Sequence, residues 1–304
     1  MNKKIPVYLL SGFLGSGKTT LLKRLIQFEK EEGRTPAVLM NEAGKVSIDS
    51  EEMDKDIPLA ELLDGCICCT IQDKLESQLQ QLLFNGGFDT LIIETTGVAH
   101  PVEVVDSVLS PLFADKFDFK GIITTVDALQ WEKRDQLSIQ ALQLLREQIK
   151  FAGLILLNKT DLISENRIPY ILNEIQSISS SKILLTQQAK IDQETLKQLT
   201  IKDQSGASKV RVNQELDLSV VVYTFSNKID RAAFEEWMRD QSSYVYRMKG
   251  FIPFKDEYYP TLVQYSYGMP LFFEQDIKMT PNFVVIGENL DKVQIENGLR
   301  ALEN

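Results

Sequence analysis

Short apolar, β-branched runs alternate with longer amphipathic stretches of helical period over roughly the first 190 residues. Strands are predicted at Ile5–Leu10, Ala37–Met40, Thr90–Ile93, Ile122–Val126, Gly153–Leu157 and Ile183–Leu185. Helices are predicted at Thr19–Glu32, Lys74–Phe84, Val102–Leu109, Leu137–Lys150, Arg167–Ser177 and Glu194–Leu199. The strands are near-continuous apolar runs, as strands buried on both faces require. The fold class expected is therefore α/β, a parallel sheet with helices on both faces. Polar, turn-forming sequence interrupts this rhythm at Thr200–Leu216. Beyond it, Leu218–Phe225, Tyr244–Phe254, Tyr259–Tyr267 and Phe283–Ile286 read as strands, and Ala232–Arg239 and Lys292–Leu302 as helices. A smaller α+β domain follows from strands that neighbour one another in sequence. The predicted organisation is 1–200, a linker at 201–216, and 217–304.

Composition narrows the partners. A net charge of −10 over 304 residues lacks the basic footprint that a phosphate backbone demands, so nucleic acid is excluded as a partner. Two lysines and a short apolar stretch at the start faintly imitate a signal peptide. Pro6 interrupts the stretch, and a glycine-rich loop follows where a cleavage site would be, so a buried first strand is expected. No apolar run reaches the ~18 residues that span a bilayer. All three cysteines, Cys66, Cys68 and Cys69, fall within one short segment, whereas a disulfide scaffold would spread an even number along the chain. Together these features predict a cytoplasmic protein.

The segment Gly12-Phe-Leu-Gly15-Ser16-Gly17-Lys18-Thr19 matches G-x-x-x-x-G-K-[ST] and sits between a predicted strand and a predicted helix. Its glycines let successive backbone N–H groups face a phosphate, and the helix adds the positive end of its dipole. Lys18 supplies charge to the β- and γ-phosphates, the Thr19 hydroxyl is placed to ligate Mg²⁺, and Ser16 and Thr20 belong to the same nucleotide-binding set.

Asn158-Lys159-Thr160-Asp161 follows a predicted strand and resembles the N-K-x-D element of GTPases. A carboxylate at Asp161 can accept from guanine N1–H and its exocyclic amine, a donor pair that adenine lacks. Glu94-Thr-Thr-Gly97 lies at a strand's carboxyl end, where open α/β sheets bind ligands. It looks like a Walker B and switch II element. Glu94 would hold a Mg²⁺-bound water, and Gly97 would bring a backbone N–H to the γ-phosphate. Neither an arginine finger nor a catalytic base is evident, so hydrolysis is expected to be slow and stimulated by a partner, a dimer mate or a metal.

Three thiols on one loop suit Zn²⁺ best, with Co²⁺, Ni²⁺ or Cu(I) as alternatives, and the loop offers no nearby fourth protein ligand. The competing reading is that small buried cysteines merely pack. The lone histidine, His100, is read as a surface or hinge residue. The motifs Gly12–Thr19, Asn41–Asp49, Gly65–Cys69, Glu94–Gly97 and Asn158–Asp161 occur in an order that resembles the CobW-like GTPases. That resemblance implies a GTP-dependent metallochaperone that binds metal through the C-x-C-C loop together with Glu42. It also implies a carboxy-terminal domain that recognises a client metalloprotein. Lys45 departs from the family's pattern, which often has a second acidic residue there. The metal loop lies between two γ-phosphate-sensing segments, so nucleotide state is expected to alter metal affinity. The alternative is a regulatory GTPase switch whose cysteines are redox or structural.

Overall fold

The computed structural model describes residues 4–40, 59–61, 71–192, 195, 218–241, 244–266, 268–288 and 290–303. Glu42, the three cysteines, the linker 201–216 and nearly all of the helix predicted at Glu194–Leu199 lie outside the described residues.

The amino-terminal elements run β1 (Ile5–Ser11), α1 (Lys18–Glu31), β2 (Pro36–Met40), β3 (Leu59–Glu61), α2 (Ile71–Asn85), β4 (Thr90–Glu94) and α3 (Pro101–Val108). They continue with β5 (Phe117–Asp127), α4 (Ala128–Glu132), α5 (Ile139–Lys150), β6 (Leu154–Asn158), α6 (Ile168–Gln176) and β7 (Lys182–Leu185). The strands form one sheet in the order β3-β2-β4-β1-β5-β6-β7. The registered pairs β1–β4, β2–β3, β2–β4, β5–β6 and β6–β7 are all parallel. The α/β expectation holds, with β3 as an addition: three residues are too few to show a hydrophobic period.

Burial explains the continuous apolar runs. Leu154 and Leu156 of β6 pack with Leu21, Leu22 and Leu25 of α1 on one face of the sheet. Ile155 and Leu157, pointing the other way, pack with Leu145 and Ile149 of α5 and Ile171 of α6. All four apolar side chains of the strand, Leu154 to Leu157, are thus core. No helix among the described residues is long and apolar enough to cross a membrane.

The second unit contains β8 (Leu218–Thr224), α7 (Arg231–Asp240), β9 (Val245–Ile252), β10 (Thr261–Ser266), β11 (Met269–Phe273), β12 (Asn282–Glu288) and α8 (Lys292–Ala301). Its five-stranded sheet has the order β11-β10-β9-β12-β8, with every registered pair antiparallel. Phe234 and Met238 of α7 and Ile295 and Leu299 of α8 cover Phe283 and Val285 of β12. The single strand predicted at Tyr259–Tyr267 is one arm of a hairpin. Gly268, at φ 93, helps turn the chain back, so that Met269 pairs with Ser266. The segment Val108–Phe117 groups with this unit although it precedes β5 in the chain. Asn282 Nδ2 donates to Pro111 O at 3.1 Å, and Lys4 Nζ donates to Ala114 O at 2.9 Å.

Two polar ties make the fold's energetics testable. Glu29 on α1 is 2% exposed and takes both Arg34 Nε (2.6 Å) and Nη2 (3.0 Å), with Thr90 Oγ1 donating at 2.8 Å. Arg34→Ala would strand a buried carboxylate and is expected to destabilise the protein by about 3 kcal/mol in urea unfolding. In the second unit, Glu303 accepts from Tyr223 and from the N–H groups of Ser226 and Asn227. Burial pushes the Glu303 carboxyl up, but these hydrogen bonds outweigh it and leave it below its ordinary value. Burial, then the Glu303 contact, pushes Tyr223 up to about 12. A depressed carboxyl contributes stability that is present above its unfolded value of 4.5 and lost as pH falls through the folded one. The raised Tyr223 contributes stability that is lost only as pH climbs towards that value. Glu303→Gln is therefore expected to be less stable than wild type at neutral pH, with the difference shrinking on acidification below pH 4.5. Denaturant titrations across that range check it.

Candidate functional site

Three loops at the carboxyl ends of β1, β4 and β6 make the site. After Ser11, the chain turns through Gly12 (φ 137), Gly15 (φ 73) and Gly17 (φ 111) into α1. These angles lie in the region that favours glycine, and space also excludes a side chain at two of them. A Cβ on Gly12 would come 2.3 Å from Thr125 O, and one on Gly17 would come 2.4 Å from Asn158 Nδ2. Ser16 is buried, its hydroxyl 2.6 Å from Thr125 Oγ1. Lys18 is buried at the helix start, and its ammonium donates to Gly12 O (2.9 Å) and Phe13 O (3.2 Å). The adjacent Thr20 is exposed.

Asn158 ends β6 and reaches into this loop. Its Nδ2 donates to Ser16 O at 2.9 Å, while its Oδ1 accepts from Thr186 Oγ1 (3.1 Å) and Ala189 N (2.8 Å). Lys159 then takes a left-handed conformation (φ 59), which reverses the chain immediately after the inward-pointing asparagine. Its ammonium pairs with Asp127 Oδ2 at 2.7 Å, while Asp127 Oδ1 caps α4 through Leu129 N and Gln130 N. Thr160 N and Oγ1 both donate to Thr186 O, at 3.3 and 3.2 Å. Asp161 stands exposed on the following turn. The structure thus brings the phosphate loop and the base-reading candidate together through a single asparagine.

At the end of β4, Thr19 Oγ1 donates to Glu94 Oε1 at 2.8 Å. Thr95 donates to Leu10 O from both N and Oγ1 at 3.0 Å, which seats the next residues beside the phosphate loop. Gly97 lies so close to that loop that a Cβ there would meet Leu14 N at 2.5 Å. His100 pairs with Glu147 Oε2 at 3.1 Å and its ring lies 5.7 Å from that of Phe151, a packing and pairing role on α5.

Among the described residues no group of three or more histidine, cysteine or acidic side chains could hold a metal ion. The proposed ligands Cys66, Cys68, Cys69 and Glu42 lie outside the described residues. Sequence reasoning missed Thr125, Asp127, Gln148, Thr186 and Ala189. The first two carried a legible signal: polar residues at the carboxyl end of a buried strand are where α/β sheets place ligand contacts. The other three show themselves only in the folded chain.

A P-loop and an N-K-x-D turn, side by side at the carboxyl edge of a parallel sheet, define a P-loop protein built on the plan of the GTPases. Residues 6–186 match the profile of the CobW/HypB/UreG nucleotide-binding domain, and 218–303 match that of the cobalamin synthesis protein CobW carboxy-terminal domain. The chain belongs to the CobW/HypB/UreG family. It is 31% identical over 60% of its length to the zinc-regulated GTPase metalloprotein activator 1 of Dictyostelium discoideum, covering 46% of that protein. Identity to the zinc chaperone YjiA of Escherichia coli is 38%, over 53% of this chain and 51% of that one. The zinc chaperone CobW of a Sinorhizobium species is 30% identical over 59% of this chain and 57% of its own length. The matches thus span about half the length of these relatives.

Asn158→Ala would leave Ser16 O, the Thr186 hydroxyl and Ala189 N–H buried without this partner. Each orphaned group costs the loop arrangement seen here about 1–3 kcal/mol, so the binding-competent state is less populated and nucleotide affinity should fall by ~10²-fold in fluorescence titration. Gly17→Ala should match or exceed that loss, through both clash and φ.

Proposed function

We propose that this chain is a GTP-hydrolysing metallochaperone that carries Zn²⁺ on Cys66, Cys68 and Cys69, with Glu42, and delivers it to a client metalloprotein. The observation that carries the nucleotide half is the Asn158 tie, which fixes the base-reading turn to the phosphate loop. Asp161 then offers an exposed carboxylate to guanine's two donors, and adenine would leave that carboxylate unanswered.

The side chains support phosphoryl transfer to water. On nucleotide binding, Lys18 exchanges the carbonyls of Gly12 and Phe13 for phosphate oxygens, and its charge opposes the charge that builds on them in the transition state. The backbone of Gly15–Lys18 and the start of α1 orient the phosphate chain. Thr19 and Glu94, two oxygen donors 2.8 Å apart, are a hard donor set that suits Mg²⁺. Held by Thr19 and Glu94, Mg²⁺ would supply positive charge to offset that of the phosphates. Gly97 abuts Leu14, which suits a backbone contact to the γ-phosphate. A water attacks the γ-phosphorus, and GDP and phosphate leave. Lacking a base or arginine finger in this set, turnover is expected at roughly 10⁻⁴ to 10⁻² s⁻¹ until an activator binds.

The metal half rests on the thiol cluster and on family membership. Thiolates are soft ligands, so Zn²⁺ is the favoured cargo, with Co²⁺ and Ni²⁺ as competitors. The carboxy-terminal domain is assigned to client recognition, a homodimer mate is one candidate activator, and the cytoplasm is the assigned compartment.

Asp161→Asn exchanges a double acceptor for a side chain whose amide can donate to the xanthine 2-oxygen. GTP affinity should drop at least ~10²-fold while xanthosine triphosphate gains, a swap read by competition titration. Replacing all three cysteines by serine should abolish stoichiometric Zn²⁺ binding in equilibrium dialysis and leave GDP affinity within twofold. Zinc retained at full stoichiometry would sink the metal assignment alone.

A further inference from the structure

Gln148 is fully buried on α5, a helix that the nucleotide motifs do not include. Its Nε2 donates to Gly97 O at 3.1 Å and to Ala99 O at 3.3 Å. Two carbonyls facing one end of the amide fix which end carries the nitrogen. Its Oε1 is buried and has no hydrogen-bond partner among the described residues. The backbone behind it is held as well: Thr124 Oγ1 donates to Gln148 O at 3.0 Å, and neighbouring Leu145 and Ile149 are core. The donor therefore sits on a rigid element.

What it grips is the loop beside the phosphate site. Within Thr96–Ala99, Ala99 N donates to Thr96 O and Val98 N to Thr96 Oγ1, both at 3.1 Å, which fixes the peptide planes of the turn. Gly97 is thereby caught between Leu14 of the phosphate loop and Gln148 of α5. The His100–Glu147 pair ties the next residue to the same helix.

We propose that Gln148 is a positioning residue for γ-phosphate sensing. Its amide holds the Gly97–Ala99 turn at the distance from Leu14 seen here, and its buried acceptor oxygen offers the turn a second hydrogen-bonded arrangement when the γ-phosphate draws Gly97 inward. A buried acceptor left unanswered in one state and satisfied in another biases a two-state loop. The proposal rests on the GTPase reading above.

Gln148→Met keeps the volume and removes both donor and acceptor. The expected result is a GTP-analogue affinity weakened by ~10-fold with GDP affinity within twofold, and kcat lowered by a similar factor with KM moving less. A purely structural role would weaken both nucleotides alike. Amide hydrogen exchange on the wild-type chain gives a second readout: protection across residues 96–100 should differ between the GTP analogue and GDP, and Gln148→Met should erase the difference. An unchanged affinity ratio in the variant overturns the proposal while leaving the GTPase reading intact. If the variant does not fold, identical wild-type exchange in the two nucleotide states overturns it in the same way. A wild-type chain that binds neither nucleotide overturns the GTPase reading, and the proposal with it.

Discussion

The side-chain amide of Asn158 is the interaction on which the rest of the site depends. It ends a strand buried on both faces, so its position is set by the core and not by the loops it serves. From there it meets Ser16 O on one side and the Thr186 hydroxyl and Ala189 N–H on the other. A buried amide satisfied in this way exchanges water for three fixed partners and locks their relative geometry. The constraint propagates outward. Gly17 must be glycine partly because Asn158 fills the space where a Cβ would lie. Lys159 must turn left-handed so that Asn158 can point inwards while Asp161 faces solvent. The phosphate loop and the Asn158–Asp161 turn thus form one hydrogen-bonded assembly.

The loop after β4 is built differently. Thr95 anchors its start to Leu10, but from Thr96 onward it is held by a local turn and by the Gln148 side chain of α5. Both ends of the Asn158 amide are answered, whereas Gln148 grips the turn through its nitrogen and keeps a buried oxygen unanswered among the described residues. That contrast suits a division of labour in which nucleotide identity is read by fixed groups and nucleotide state by a movable one. The Thr19–Glu94 contact links the two, because a hydroxyl from α1 and a carboxylate from β4 meet where a hard cation would sit.

Much of this was legible in the sequence because the chemistry is local. The phosphate loop and Asn158–Asp161 are short, contiguous, and flanked by strands whose apolar runs announce burial. What escaped is what distance along the chain conceals. Thr125 lies 109 residues from Ser16, and Gln148 lies 51 from Gly97. Neither spacing carries a period or a motif, so only packing pairs them. Within the fold, β3 was too short to show alternation. The β10–β11 hairpin was hidden because Pro270 interrupts Met269–Phe273 and the run shows no alternation. The grouping of Val108–Phe117 was invisible for a related reason: the unit it joins is encoded a hundred residues later. The cysteine cluster was legible as chemistry, and its geometry lies outside the described residues.

The proposed function joins guanine reading, phosphate state and metal carriage in one device, with Cys66, Cys68 and Cys69 encoded between Asn41–Asp49 and Glu94–Gly97. The coupling is reciprocal by thermodynamic necessity, so a nucleotide that alters metal affinity must itself be bound differently by the metal-loaded protein. Competition titration of Zn²⁺ against a calibrated chelator, with the GTP analogue and then GDP bound to the wild-type chain, tests this directly. Zinc affinities are expected to differ by ~10-fold or more between the two states, a coupling of about 1.4 kcal/mol. Equal zinc affinities in both states would contradict it.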